Sequence, residues 1–322
     1  MPFPSDPPEP TSAPAWRLGG GLENRAWIGL LLVIVFVVLV RIRWLDMPLE
    51  RDEGEFAYGG QLMLDGVPPF KLLYNIKQPG IYAAYALMMA VFGQSPWGIH
   101  LGLMAANVAA IVLIFLLGRR FFDPVGAVAA AASYGLMSLS WSYLGFAAHA
   151  THFVVLAGLG GMLLLLKALD SGRRLTLFSS GFLFGLAFEL KQPGLMYGIF
   201  GGVYLLYVEW KRKRAARPVL AQAAVFSAGC VAPYLLTCLI LWRAGVFATF
   251  WKWTWHYATG HTLSLSQGWA MFKRCVTVHM FLPDLLFWVL GLVGLGMVLA
   301  RRELARERNH IFPIIFITRI QF

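Results

Sequence analysis

Acidic side chains are concentrated in one segment that follows the first apolar run of the chain. Six of the sixteen Asp and Glu residues lie between positions 46 and 65, among them Asp52, Glu53 and Glu55. Asp52 and Glu55 have the spacing of a capping box, which predicts a helix that begins here and includes Tyr58. Glu55 and Tyr58 are candidate substrate contacts. Capping does not account for Glu53. Such a concentration of acidic side chains favours a catalytic function. The carboxylates of Asp52, Glu53 and Glu55 could also hold a divalent cation through oxygen ligands.

The tetrapeptide Lys-Gln-Pro-Gly occurs twice, at 77–80 and at 191–194, and each copy precedes an apolar helix. Proline suits the first turn of a helix, where its missing N–H costs nothing. Lys77 and Lys191 are less easily explained, because a cation is unfavourable at the positive end of a helix dipole. A lysine in this place suits an anion such as phosphate bound at the helix N-terminus. Both lysines are therefore candidate phosphate-binding residues. The alternative is that they are only part of a sequence that starts a helix.

Two histidines, His149 and His152, lie three positions apart in the segment FAAHATHF. This spacing places them on one face of a helix, so they could contact a substrate or bind a metal. The simpler alternative is a pair of hydrogen-bonded interface residues. Both are retained as candidate substrate contacts.

A later segment, 250–257, is rich in aromatic residues and includes Trp253 and His256. Tryptophan and tyrosine at this density usually mark a membrane–water interface. The alternative is a platform on which a sugar ring or a lipid headgroup stacks, and on that hypothesis Trp253 and His256 contact the substrate.

The composition excludes a soluble globular protein. Of the 322 residues, 58% are hydrophobic and 13% are charged, against about 45–50% and about 25% in an ordinary soluble domain. The net charge of +11 does not indicate a nucleic-acid partner, because Lys and Arg occur in short blocks between apolar runs. The three cysteines have no metal-binding spacing.

Apolar runs long enough to cross a membrane predict an all-α, polytopic transmembrane helical bundle of about eight or nine spans with a helical first extracytoplasmic loop. The predicted spans are 26–45, 98–117, 124–147, 150–167, 175–190, 194–209, 218–242 and 283–300, with a ninth run that begins at Ile311. The apolar segment 81–92 is too short to span easily and is expected to lie in the interface.

The basic linkers determine the predicted topology. With 81–92 not spanning, fourteen of the 27 basic residues fall on one side, in the linkers 119–120, 167–174, 211–217 and 301–308. Positive charge marks the cytoplasmic side, so the N-terminus is expected on the cytoplasmic side of the plasma (inner) membrane. The prediction divides the chain into a disordered Pro-rich tail (1–25) and a transmembrane domain (26–322). The first outer loop (46–97) would be catalytic, and a second outer loop covers 243–282.

Three segments resemble the GT-C class of membrane glycosyltransferases, in the bacterial branch related to protein mannosyltransferases, aminoarabinose transferase and lipopolysaccharide core galacturonosyltransferases. They are RDEGEFAYGGQLMLDGVPPF (51–70), NIKQPGIYAAYAL (75–87) and LGRRFFDPVGAVAAA (117–131), within a likeness over residues 26 to 210. The resemblance implies a polyprenyl-phosphate sugar donor, a lipid, glycan or protein acceptor, and a site facing the periplasm or the outside. Relatives continue with further spans, so the C-terminal part is expected to be missing here.

The resemblance also implies roles for individual residues. Asp52 and Glu53, which match the family's Asp-Glu pair, would be the catalytic residues, with Asp52 as the general base of an inverting transfer. Lys77, Lys191 and Arg51 would stabilise the negative charge that grows on the departing phosphate. Two alternatives stay open. One is a transporter or flippase of lipid-linked sugars, although transporters usually place ionisable groups at the membrane midplane rather than at its edge. The other is an inactive truncated subunit.

Overall fold

The structure, a computed structural model, describes residues 20–212, 215–257, 264–281, 285, 288–289 and 291–293. Within these ranges the chain is helical and contains no strand, which confirms the predicted all-α class. The helices are α1 (Gly20–Ile42), α2 (Arg51–Leu64), α3 (Gly80–Phe92), α4 (Pro96–Phe121), α5 (Pro124–Met137), α6 (Ala150–Ser171), α7 (Arg174–Leu190), α8 (Leu195–Lys211), α9 (Ala216–Arg243), α10 (Phe247–Trp251) and α11 (Leu265–Arg274). Short turns of 3₁₀ helix cover Trp141–Tyr143 and Gln192–Gly194, and wider π turns cover Lys252–Tyr257 and Cys275–Phe281.

Four helices, α1, α4, α6 and α9, are long and apolar enough to cross a membrane. Large apolar side chains on α1 and α9 are exposed, among them Leu32, Leu39 and Leu235. Exposed apolar faces on long apolar helices are what lipid-facing surfaces require. The chain is therefore an integral membrane protein. Helix α3 has 13 residues, as short as predicted, and most of the predicted span 283–300 lies outside the described residues.

The third predicted span is shorter in the structure than the apolar run 124–147. Helix α5 ends at Met137, after 14 residues or about 21 Å. The hydroxyl of Ser138 then donates to the carbonyl of Gly135, and Ser140 caps the turn that follows. Serine hydroxyls compete with helical hydrogen bonds in this way. The remainder of the apolar run therefore forms an irregular segment up to the start of α6.

The first helix begins at Gly20, earlier than the apolar run that starts at 26, so the last residues of the predicted tail are helical. Three of the four predicted basic linkers, 119–120, 167–174 and 211–217, lie at one end of the bundle, and the fourth, 301–308, lies outside the described residues. At that end of the bundle, Arg119 forms an ion pair with Glu23 at 2.9 Å, Arg120 pairs with Asp170, and Arg212 donates to the carbonyl of Leu169.

The acidic helix α2 lies at the opposite end and packs on α3. A Cβ atom added at Gly60 would lie 2.8 Å from the backbone nitrogen of Ala86, so the two helices touch backbone to backbone. Phe56 of α2, Tyr85 of α3 and Phe153 of α6 share one buried core. This core fixes the acidic helix against the membrane helices.

Candidate active site

Helix α2 is capped by Glu50 rather than by Asp52. The Glu50 carboxylate accepts from the Asp52 backbone N–H at 2.7 Å, and Glu53 Oε2 accepts from the Glu50 N–H at 2.8 Å. This is a capping box displaced by two residues from the predicted Asp52–Glu55 pair, which is a correction to the sequence-based assignment. The consequence is functional: the side chains of Asp52 and Glu55 are not used at the cap and face other partners.

Asp52 forms an ion pair with Lys77, at 3.1 Å between Oδ2 and Nζ. Its other oxygen, Oδ1, lies 3.2 Å from the guanidinium of Arg51, whose side chain is 89% exposed. Partial burial alone would raise the pKa of Asp52, but the hydrogen bonds and charges of Lys77 and Arg51 outweigh it and hold the pKa below its ordinary value. Asp52 is therefore a carboxylate at neutral pH.

Glu55 fixes the lysine from the other side. Lys77 Nζ lies 3.5 Å from Glu55 Oε2 and 4.3 Å from the centre of the Phe56 ring. The second oxygen of Glu55 accepts from Asn75 Nδ2 at 2.6 Å and from the hydroxyl of Tyr82 at 3.1 Å. The ammonium group is thus held by two carboxylates and an aromatic face, and the segment that carries it is tied to α2.

Glu53 points into the protein, away from Lys77. Its side chain is fully buried, and Oε1 lies 3.2 Å from Nε2 of His100. The same oxygen accepts from the backbone N–H of Ala148. The structure therefore gives Glu53, predicted to be catalytic, a position from which it connects α2 to α4 and to the residue before His149.

A second group of side chains approaches Asp52 from α6 and α7. His149 is the N-cap of α6, and its Nε2 lies 3.8 Å from Asp52 Oδ2. His149 Nδ1 is 3.0 Å from the hydroxyl of Thr151, which also accepts from Lys191 Nζ at 3.3 Å. Burial lowers the pKa of both His149 and Lys191, and the charge of a neighbouring lysine adds to the effect in each case.

Each Lys-Gln-Pro-Gly segment contacts residues that immediately precede the other segment. A Cβ atom at Gly80 would lie 2.5 Å from the carbonyl oxygen of Glu189, so the start of α3 packs directly on the end of α7. The amide of Gln192 donates to the carbonyl of Ile76, just before Lys77. The repeat therefore brings Lys77 and Lys191 to the same site, and their charges act on each other.

For the other predicted substrate contacts the structure shows partners other than Asp52, or exposure. His152 Nε2 is 3.3 Å from the carbonyl of Leu144, and Tyr58 is 46% exposed on α2. Trp253 stacks on Tyr74 with ring centres 5.9 Å apart, and His256 is exposed on the π turn that follows α10. Among the described residues, no group of three or more His, Cys, Asp or Glu side chains is arranged to hold a metal ion. Binding of a divalent cation stays a prediction.

A cavity of about 240 Å³ adjoins the site beside α6. Its lining includes His149, Thr151 and His152 together with the hydroxyl-bearing residues Ser138 and Ser142. The irregular segment after α5 forms part of this lining, so the early end of that helix shapes the space next to His149 and Thr151.

Three residues of the site were not found from the sequence. Thr151 lies between the two predicted histidines, but a threonine near a helix start is usually a capping residue. Asn75 and His100 have no spacing that marks them. Only the packing of α2, α3, α4 and α6 shows that these side chains contact the predicted ones.

Fold and site together define a helical membrane protein whose acidic helix lies against two lysine-headed segments at one end of the bundle. The family model for dolichyl-phosphate-mannose-protein mannosyltransferases matches residues 77–237. The chain therefore belongs to this family, which confirms its resemblance to the GT-C class of membrane glycosyltransferases.

Two curated relatives are each named undecaprenyl phosphate-alpha-4-amino-4-deoxy-L-arabinose arabinosyl transferase. They come from Pseudomonas aeruginosa (strain UCBPP-PA14) and Pseudomonas paraeruginosa (strain DSM 24068 / PA7). Each is 31% identical over 221 residues, which is 64% of this chain and 38% of the relative. The chain thus spans well under half the length of these relatives. No solved structure matches it.

Proposed function

We propose that this chain transfers a sugar from a polyprenyl-phosphate-linked donor to a hydroxyl of an acceptor at the outer face of the plasma (inner) membrane. The names of the family and of the relatives support a lipid-phosphate sugar donor. The observation that carries the proposal is the environment of Asp52, whose ionised carboxylate is held beside Lys77 and lies close to His149.

The proposed reaction is a single displacement. The acceptor oxygen attacks the anomeric carbon while its proton passes to Asp52, and the bond from that carbon to the phosphate oxygen breaks. The electron pair leaves with the phosphate, where Lys77 and Lys191 stabilise the growing negative charge. One displacement inverts the anomeric centre. A positioned base of this kind contributes roughly 10²–10⁴-fold to the rate.

The relatives suggest which donors to test. Radiolabelled undecaprenyl phosphate-4-amino-4-deoxy-L-arabinose and undecaprenyl phosphate-mannose would each be offered to membranes that contain the chain, and label in lipid, glycan and protein fractions would be counted. We expect Asp52→Asn to lose at least 100-fold in rate, and Lys77→Ala to lose both rate and donor affinity. Asp65→Asn and Lys71→Ala, which change exposed charges of the same loop, are the matched controls. Full transfer by Asp52→Asn would exclude the general base.

The proposed sidedness has its own experiment. In a chain whose three cysteines are replaced, Tyr58→Cys on the exposed face of α2 would be treated with an impermeant thiol reagent. Labelling from outside the membrane is expected, and labelling only from the inside would overturn the topology.

A further inference from the structure

The hydroxyl of Thr151 lies between a cation and an imidazole. Lys191 Nζ is 3.3 Å from Thr151 Oγ1, and that oxygen is 3.0 Å from His149 Nδ1. The backbone N–H of Thr151 also points at His149 Nδ1, at 3.5 Å. On the far side of the ring, His149 Nε2 is 3.8 Å from Asp52 Oδ2. The contacts run from Lys191 through Thr151 and His149 towards Asp52, and the last step is longer than a hydrogen bond.

The chemistry of the groups fixes the direction of each hydrogen bond. An ammonium group only donates, so Thr151 Oγ1 accepts from Lys191, and the backbone N–H of Thr151 only donates to His149 Nδ1. Nδ1 is therefore the acceptor nitrogen of the ring, and the Thr151 hydroxyl directs its proton at it. The proton of a neutral His149 then resides on Nε2, the atom that faces Asp52.

We propose that Thr151 and His149 are positioning residues that connect Lys191 to Asp52, and that they direct the Nε2–H of a neutral His149 at Asp52 Oδ2. Oδ2 is then shared by Lys77 and His149. Oδ1 contacts only the exposed Arg51 among its charged partners in the described residues, so Oδ1 is the oxygen that receives the acceptor's proton. The catalytic part of this proposal rests on the proposed function.

Two further observations agree with this arrangement. Burial and the charge of Lys191 lower the pKa of His149, which favours the neutral ring. The distance of 3.8 Å to Asp52 is longer than a hydrogen bond, and catalytic hydrogen bonds commonly shorten when substrate binds. Closure of this gap would stabilise the Asp52 carboxylate in one orientation and place Oδ1 towards the acceptor.

The protonated nitrogen of His149 can be measured without turnover. ¹⁵N NMR spectra would be recorded of the histidine-labelled full chain in lipid bilayers at neutral pH. The signal that disappears in His149→Asn, which keeps a good N-cap, belongs to His149. We expect an Nε2–H ring in wild type and in Thr151→Ser, and a larger share of the Nδ1–H tautomer in Thr151→Val, which keeps only the longer backbone N–H contact to Nδ1. An Nδ1–H ring or an imidazolium in wild type, or an unchanged signal in Thr151→Val, would overturn the proposal.

Kinetics test the catalytic consequence with the two donors named above. Loss of one hydrogen bond predicts about a tenfold lower kcat for Thr151→Val, with little change in KM for the donor. Thr151→Ser should restore the rate, and Thr277→Val, at an exposed threonine far along the chain, is the control. An equal rate in Thr151→Val, or a change only in KM, would contradict the positioning role. If wild type transfers neither sugar, the proposed function fails with these donors, whereas the NMR result still decides the hydrogen-bond arrangement.

Discussion

Glu53 and His100 form a buried pair beneath the candidate active site, with Oε1 and Nε2 3.2 Å apart. The other ring nitrogen of His100 lies 2.9 Å from the carbonyl oxygen of Leu45, which can only accept. Glu53 itself accepts from the backbone N–H groups of Ala148 and Glu50. Nδ1 of His100 therefore donates to Leu45, and one proton is shared between His100 Nε2 and Glu53 Oε1 in a buried hydrogen bond. Glu53 follows Asp52 in the chain and accepts from the backbone N–H of Ala148, which precedes His149. This contact aligns Asp52 with His149.

The first prediction concerns this pair. Glu53→Gln places an amide N–H₂ group where a carboxyl oxygen accepts from a backbone N–H, and a buried donor left without an acceptor costs roughly 1–3 kcal/mol. We expect a lower unfolding temperature in detergent and slower sugar transfer, although Glu53 does not face the substrate. His100→Gln should have a similar effect, and the double variant should lose less than the sum of the two. Additive losses would show that the two side chains act independently.

The second prediction concerns pH. The pKa of Asp52 is lowered in the folded protein, so its interaction with Lys77 is present at neutral pH and is lost as pH falls through that lowered pKa. Transfer should therefore stay constant down to the ordinary range of aspartate, about pH 4. Lys77→Met removes the main stabilising charge and should move the acid limb of the pH profile to higher pH. Identical acid limbs in the two proteins would contradict this assignment.

The third prediction concerns the contact between the first Lys-Gln-Pro-Gly segment and the end of α7. Gly80→Ala places a methyl group 2.5 Å from the backbone oxygen of Glu189, and backbone cannot yield as a side chain can. We expect lower stability and a marked loss of activity, because the start of α3 and Lys77 must move away from α7. Gly268→Ala in α11, where a Cβ meets nothing within 4 Å, is the control and should be neutral or stabilising. Equal behaviour of the two variants would refute the contact.

The fourth prediction concerns metal ions. Lys77 lies between the carboxylates of Asp52 and Glu55, at 3.1 and 3.5 Å, and Glu53 is turned to His100. A divalent cation at Asp52 would have to displace Lys77 from these oxygens. We therefore expect the transfer rate to be unchanged after treatment with EDTA. Activity that is lost with EDTA and restored by Mg²⁺ or Mn²⁺ would instead support the cation site predicted from the acidic segment.

Local patterns were sufficient for the broad architecture and for the central charged residues. Apolar runs predict membrane helices because the period and length of a hydrophobic stretch are properties of the chain itself. The positions of the basic linkers and of the Lys-Gln-Pro-Gly repeat are likewise properties of the chain itself. Asp52 and Lys77 were found in this way, and the structure brings them into contact.

Tertiary structure decided what each side chain in the cluster does. Asp52, Glu53 and Glu55 are equivalent carboxylates in the sequence, yet only packing turns Glu53 towards His100 and Asp52 towards Lys77. The register of the helix cap depended on which acidic side chain, that of Glu50 or that of Asp52, accepts from a backbone N–H of the first turn. Likewise, Thr151 contacts Lys191 forty residues away because α6 and α7 pack side by side. A sequence determines which groups are present and which helices carry them. Their partners depend on distances between helices, which no local pattern contains.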